Sequence, residues 1–120
     1  MKNKKKTVIL RLCAVAGVIL VIGVTRYKRL PEFRIRNAFS QSYTMVGGQR
    51  CRDTDINVVV YKNRNDEELY KRIEYEHNRI NGEPTKLEIN LYNSESEIIN
   101  GKKPYKIILI DYINNIIIIE

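Results

Sequence analysis

The chain has 120 residues, a formal net charge of +7, two cysteines and no tryptophan. That length suits about one domain, whose single modest core removes about two-thirds of the unfolded surface. The first 25 residues hold five basic residues and no acid, and the remainder holds 16 basic and 14 acidic, so +5 sits in the leader and +2 beyond it. So local a charge, without a basic stripe interleaved with aromatics, argues against a nucleic-acid binder. Two cysteines do not make a disulfide-stapled scaffold.

Residues 1–6, rich in lysine, read as a basic cytoplasmic leader. Leu12 to Val24 is an unbroken run of 13 apolar or small residues, and Thr7 to Thr25 contains one charge, Arg11. At ~1.5 Å per residue this stretch reaches roughly 28 Å, close to the ~30 Å of bilayer hydrocarbon. Residues 7–25 are therefore expected to be a transmembrane signal anchor holding the chain in a lipid bilayer. Arg11 lies near one end, where its stem can carry the charge to the headgroups. The main alternative is a cleaved signal peptide, which would release a secreted domain. The run of 13 suits such a peptide, but Gly23 and Thr25 are the only small pair after it and the basic string Arg26-Tyr27-Lys28-Arg29 follows at once. A soluble protein with a buried apolar N-terminal helix is the third reading, and a run with no polar face suits a membrane better than a surface helix. Five basic residues stand on each flank, so the positive-inside count is a tie. The lysine cluster at the extreme N-terminus favours an N-terminus in the cytoplasm and an extracytoplasmic domain at the cell membrane. Residues 26–37, with Pro31 and a second basic group, read as a juxtamembrane linker along anionic headgroups.

Residues 38–120 read as a small α/β domain. Residues 38–46 suggest a strand only weakly, before the turn signal Gly47-Gly48. Asp55 to Tyr61 alternates Ile56, Val58 and Val60 with Asn57, Val59 and Tyr61 and is rich in β-branched residues, which indicates a strand. A helix is expected over Asp66–Ile80, with Asn65 as N-cap and Glu68 completing a capping box. Its apolar stripe would be Leu69, Ile73 and Ile80, flanked by Tyr70 and His77. Asn81-Gly82 and Pro84 stop it. Lys86 to Tyr92 alternates cleanly, so one face should be buried and the other wet. Asn93 to Pro104 is polar, with a helical turn expected at Ser94–Ile99. Tyr105 to Tyr112 reads as a central strand, Asn114-Asn115 as a tight hairpin turn, and Ile116 to Ile119 as a final strand, paired and covered because a bare tetra-isoleucine strand would aggregate.

The fold class expected is α+β: an N-terminal transmembrane helix followed by a small mixed β-sheet of four to five strands, with one helix packed on one face. A right-handed β-α-β crossover should join two parallel strands, and the tail should be an antiparallel hairpin.

Chemistry is sparse. Glu74-x-x-His77 has helical spacing used by some metal sites, but a site needs three or four ligands and His77 is the only histidine. Asp53 and Asp55, after Arg50 and Arg52, could divide acid and base roles if their environments differed; a solvated turn entering a strand is the plainer reading. Gly47-Gly48 lacks the spacing of a phosphate cradle. Cys51 reads as a free thiol, since Cys13 lies in the apolar run, and nothing in the spacing brings it to His77. Tyr61, Tyr92 and Tyr112 fall near strand ends, where exposed rings could anchor a partner. No residue is assigned as catalytic, cofactor-binding or metal-ligating, and no cofactor is expected. Abundant Ile, Asn, Lys and Tyr imply AT-rich codons, and the layout is similar to small envelope proteins of AT-rich Gram-positive bacteria; that likeness transfers no site residue. The function expected is a non-enzymatic, single-pass membrane protein whose domain binds a protein or envelope component. The alternative is a small accessory subunit of a membrane complex.

Overall fold

The computed structural model describes residues 30–120. The chain divides after Pro31, and the second unit, Glu32–Glu120, is the folded domain. The expected leader, the anchor at 7–25, the linker up to residue 29 and Cys13 lie outside the described residues. No helix among the described residues is long and apolar enough to cross a membrane.

The domain is a five-stranded mixed sheet with one long helix, an α+β arrangement. Strand β1 (Phe33–Thr44) runs antiparallel to β2 (Arg50–Val60). Helix α1 (Leu69–Asn81) crosses to β3 (Lys86–Tyr92), which is parallel to β2. A single-turn helix α2 (Glu95–Ile99) precedes β4 (Lys106–Asp111) and β5 (Ile116–Ile119), both antiparallel to their predecessors. Strand order equals chain order, β1-β2-β3-β4-β5.

β1 begins at Phe33, inside the stretch read as a linker, and β2 begins at Arg50 rather than Asp55. For β1 the reason is a register shift between Ile35 and Asn37, which leaves Arg36 as an extra residue; β2 reaches back to Arg50 because Ser40 to Thr44 of β1 pair with Thr54 back to Arg50. A bulge breaks the period-two pattern, so Phe33 and Ile35 pack against the core before it, while after it the exposed Ala38 and Ser40 stand on that side, level with Ile56 and Thr54. Gly48, at φ 82°, closes the β1–β2 loop, where Met45 N–H donates to the Gln49 carbonyl at 2.8 Å.

The core is Ile56, Val58 and Val60 of β2, Leu87, Ile89 and Leu91 of β3, and Ile108 and Ile110 of β4, against Leu69 and Ile73 of α1. α1 starts three residues later than expected. The Asp66 carboxylate, not Asn65, accepts the Glu68 N–H at 2.9 Å, and Glu68 makes no side-chain cap. The buried stripe advances by four residues, Leu69, Ile73, His77, so its next place is Asn81; Ile80 is therefore 63% exposed, while His77 is 1% exposed. At the helix C-terminus Gly82 takes φ 81°, and the Arg52 guanidinium donates to the Asn81 and Gly82 carbonyls at 3.2 and 3.1 Å. A cation there meets the negative end of the helix dipole. Arg72 of α1 binds Glu32 with both carboxylate oxygens and reaches Asp66 at 2.8 Å, tying the start of the domain to the helix.

A five-strand sheet is about 19 Å wide and one helix with its side chains about 10–12 Å. α1 therefore cannot shield both edges. β5 is paired only with β4, and Ile116, Ile117, Ile118 and Ile119 are each 48–52% exposed. The expected cover is missing among the described residues. The hairpin turn is also looser than expected. Only Asn115 is left-handed (φ 52°), and the Asp111 carboxylate holds the loop by accepting the Ile113 and Asn114 N–H groups at 3.0 and 3.2 Å.

Candidate interaction surface

Away from α1 the sheet shows an open face, and strand register arranges it in rows. One row is Gln41, Asp53, Lys86, Asp111, Ile116; the next is Phe39, Asp55, Glu88, Leu109, Ile118. Residues directly opposite share a face, so each row passes from charged groups on β2 and β3 to isoleucine on β5. A third row brings Asn57 to Asn90, whose amides bond at 3.2 Å. Between β2 and β5 lies a depression of about 380 Å³ floored by the β2-to-β5 members of the first two rows. Its two walls differ: carboxylates and Lys86 on one side, Leu109, Ile116 and Ile118 on the other.

Two of the carboxylates are already engaged. Asp53 accepts the Tyr43 hydroxyl at 3.2 Å. Asp111 holds the β4–β5 loop, and its pKa is lowered chiefly by the Asn114 side chain and backbone. Glu88 differs. Partial burial, then the neighbouring Asp55 carboxylate, raise its pKa. Its partial burial and the like charge beside it let Glu88 take up a proton more readily than a free carboxylate. Sequence reasoning paired Asp53 with Asp55; the structure pairs Asp55 with Glu88 across parallel strands. Glu88 was legible only through the wet face of β3, once β3 is placed beside β2.

The other candidates separate. His77 is buried, with Nδ1 2.9 Å from Asn78 Oδ1, while Glu74 accepts the Tyr112 hydroxyl at 2.7 Å. No cluster of three metal-ligating side chains occurs among the described residues. Arg50 and Arg52 belong to β2 rather than to a turn, and Arg52 serves the helix end. Cys51 is a free thiol, buried at 3% exposure. The three tyrosines expected at wet positions are not free anchors. Tyr92 is buried, Tyr61 reaches Glu95 at 3.5 Å, and Tyr112 joins β4 to α1. Exposed apolar groups lie elsewhere, at Phe39, Tyr43, Met45 and Val46 around the β1–β2 hairpin, singly at Tyr75, Ile80 and Ile99 on the helices, and in an unbroken run along β5.

The two edges differ in chemistry. β1 carries Arg34, Arg36 and a bulge, devices that discourage strand pairing. β5 has no charge, no proline and no bulge. Ile107 and Glu120 exchange both backbone hydrogen bonds, at 3.2 and 2.8 Å. Opposed residues alternate between bonded and non-bonded pairs in an antiparallel ladder, so Ile117 and Ile119 turn N–H and C=O outward at the free edge.

No family model, no curated protein and no solved structure matches this chain.

Proposed function

We propose that this chain is a membrane-tethered binding module. Residues 7–25 hold it on a bilayer, and the domain docks another polypeptide along β5 and the adjoining Leu109–Ile116–Ile118 wall of the open face. The observation that carries this reading is the tetra-isoleucine edge strand: four half-exposed isoleucines beside outward backbone groups. Exposed apolar surface bordered by polar groups is a common mark of a protein interface, and a free strand edge is a template for β-addition.

The test is photo-crosslinking in cells with the full chain, placing a photoreactive side chain at Ile118 and, separately, at Tyr75 on the exposed face of α1. A discrete adduct from position 118 and none from 75 is the expected result. Equal, diffuse labelling from both positions would overturn the docking surface. Recovery of the intact chain from the soluble fraction without detergent would overturn the tether.

A further inference from the structure

We infer that the polypeptide docked on β5 is a second copy of the same chain, with β5 paired antiparallel to itself across a two-fold axis to make a continuous ten-stranded sheet. This deepens the binding-module reading and rests on it.

The first argument is which strand the edge can accept. Ile116 and Ile118 lie on the open face beside Leu109, whereas Ile117 and Ile119 lie on the helix face beside Ile108 and Ile110. A complementary strand must therefore be apolar on both faces, not alternating. Among the described strands, Val58–Val60 of β2 and Ile107–Ile110 of β4 have that character, but both strands are already paired on two sides within the sheet. β5 itself has it and stands free. A closed two-fold interface uses one self-complementary patch on both copies, and an uncharged run of one residue type has no like charges to oppose.

The second argument fixes the register. Only Ile117 and Ile119 turn their backbone groups outward, and Asn115, at φ 52°, cannot extend the ladder. Pairing Ile117 with Ile119 of the second copy uses every outward group of both strands, giving four hydrogen bonds. Centring instead on Ile117 leaves Ile119 opposite the left-handed Asn115. The preferred register puts Ile118 opposite Ile118 on the axis as a non-bonded pair, where Cα atoms lie about 4.5 Å apart. The row Phe39, Asp55, Glu88, Leu109, Ile118 then runs unbroken into its copy.

The third argument concerns strength. Four half-exposed isoleucines cover less than the ~800 Å² per partner of a standard interface. Such a pair is weak between free domains and closes when both copies share one membrane, which raises their effective concentration.

Disulfide trapping in native membranes tests this. The full chain carries Cys13→Ser together with Ile118→Cys; a control carries Cys13→Ser with Ser42→Cys, on the exposed opposite edge strand. A 4.5 Å Cα separation falls in the ~4.4–6.8 Å range of disulfides, so mild oxidation should link Ile118→Cys at least about tenfold more than the control. Cys51, buried in the native fold, should stay unreactive to maleimide in both variants and so reports that they are folded. Linking no greater than the control, in folded chains, overturns self-pairing. If the photoreactive side chain at position 118 then still yields a discrete adduct with a different protein, the docking edge stands and only the identity of its occupant falls. If it yields none, both fall.

Discussion

Tyr112 is the clamp whose removal is most informative. Its hydroxyl donates to Glu74 at 2.7 Å and accepts from the Asn78 amide at 2.9 Å, joining the end of β4 to α1. Tyr112→Phe keeps the ring and deletes both bonds. A bond to a charged partner contributes about 1.5–3 kcal/mol and a neutral one about 1. Glu74 and Asn78 are only half-buried, so water recovers part of this. The expected loss is about 1–2 kcal/mol, or about 1 M in urea midpoint at a slope near 1.5 kcal/mol/M. The same hydroxyl sets a pH signature. Burial first, then the Glu74 carboxylate, raise its pKa, while the Asn78 amide opposes them. The native phenol keeps its proton where the unfolded phenol has lost it. Its contribution is complete below the unfolded pKa near 10 and fades as pH rises. Urea denaturation of the full chain in detergent, followed by maleimide reaction at the buried Cys51 in a Cys13→Ser background, measures both effects. The Phe variant should have a lower midpoint at pH 7 and a shallower decline above pH 10. An unchanged midpoint, or the same alkaline decline in both proteins, would refute the clamp.

Four further outcomes are expected. Ile73→Ala, at a fully buried core position, should cost about 2–5 kcal/mol in the same denaturation assay. Glu88→Gln should stabilise the domain by a few tenths of a kcal/mol at neutral pH, because it removes a like charge opposite Asp55. The raised Glu88 pKa lets the native state take up a proton before the unfolded chain does, so wild type should recover that difference as pH falls through the native pKa. Gly82→Ala meets nothing closer than Arg52 Nη2 at 3.9 Å, so its cost should be the positive φ alone, about 1–3 kcal/mol. Ile118→Lys should leave the domain folded, at a cost of about 1 kcal/mol for one half-buried side chain, yet remove the protection of the outward Ile117 and Ile119 amides from exchange in native membranes.

What the sequence made legible followed its local periodicity. β3, α1 and the β4–β5 hairpin stand out because Leu87, Ile89 and Leu91 alternate, Leu69 and Ile73 repeat by four, and Asn81-Gly82-x-Pro84 ends the helix. β1 was hidden by the Arg36 bulge, which shifts the phase between Ile35 and Ala38. The helix start was misplaced by three residues: the N-cap position is Glu68, and its N–H is taken by the Asp66 carboxylate, which also reaches Arg72, rather than by Asn65. The exposure of β5 depends on how much sheet a single helix can cover, which no local pattern encodes. The Asp55–Glu88 neighbourhood is likewise tertiary: 33 residues separate its members, and parallel register alone brings them level.

The most direct test of an occupied β5 edge is amide hydrogen exchange at Ile117 and Ile119, the two residues whose N–H groups point outward. It should be measured in the full chain in native membranes and again after dilution into detergent micelles holding single copies. Strong protection in membranes, lost on dilution, is the expected result. Fast exchange at both amides in both settings, with Ile116 and Ile118 still protected by β4, would contradict it.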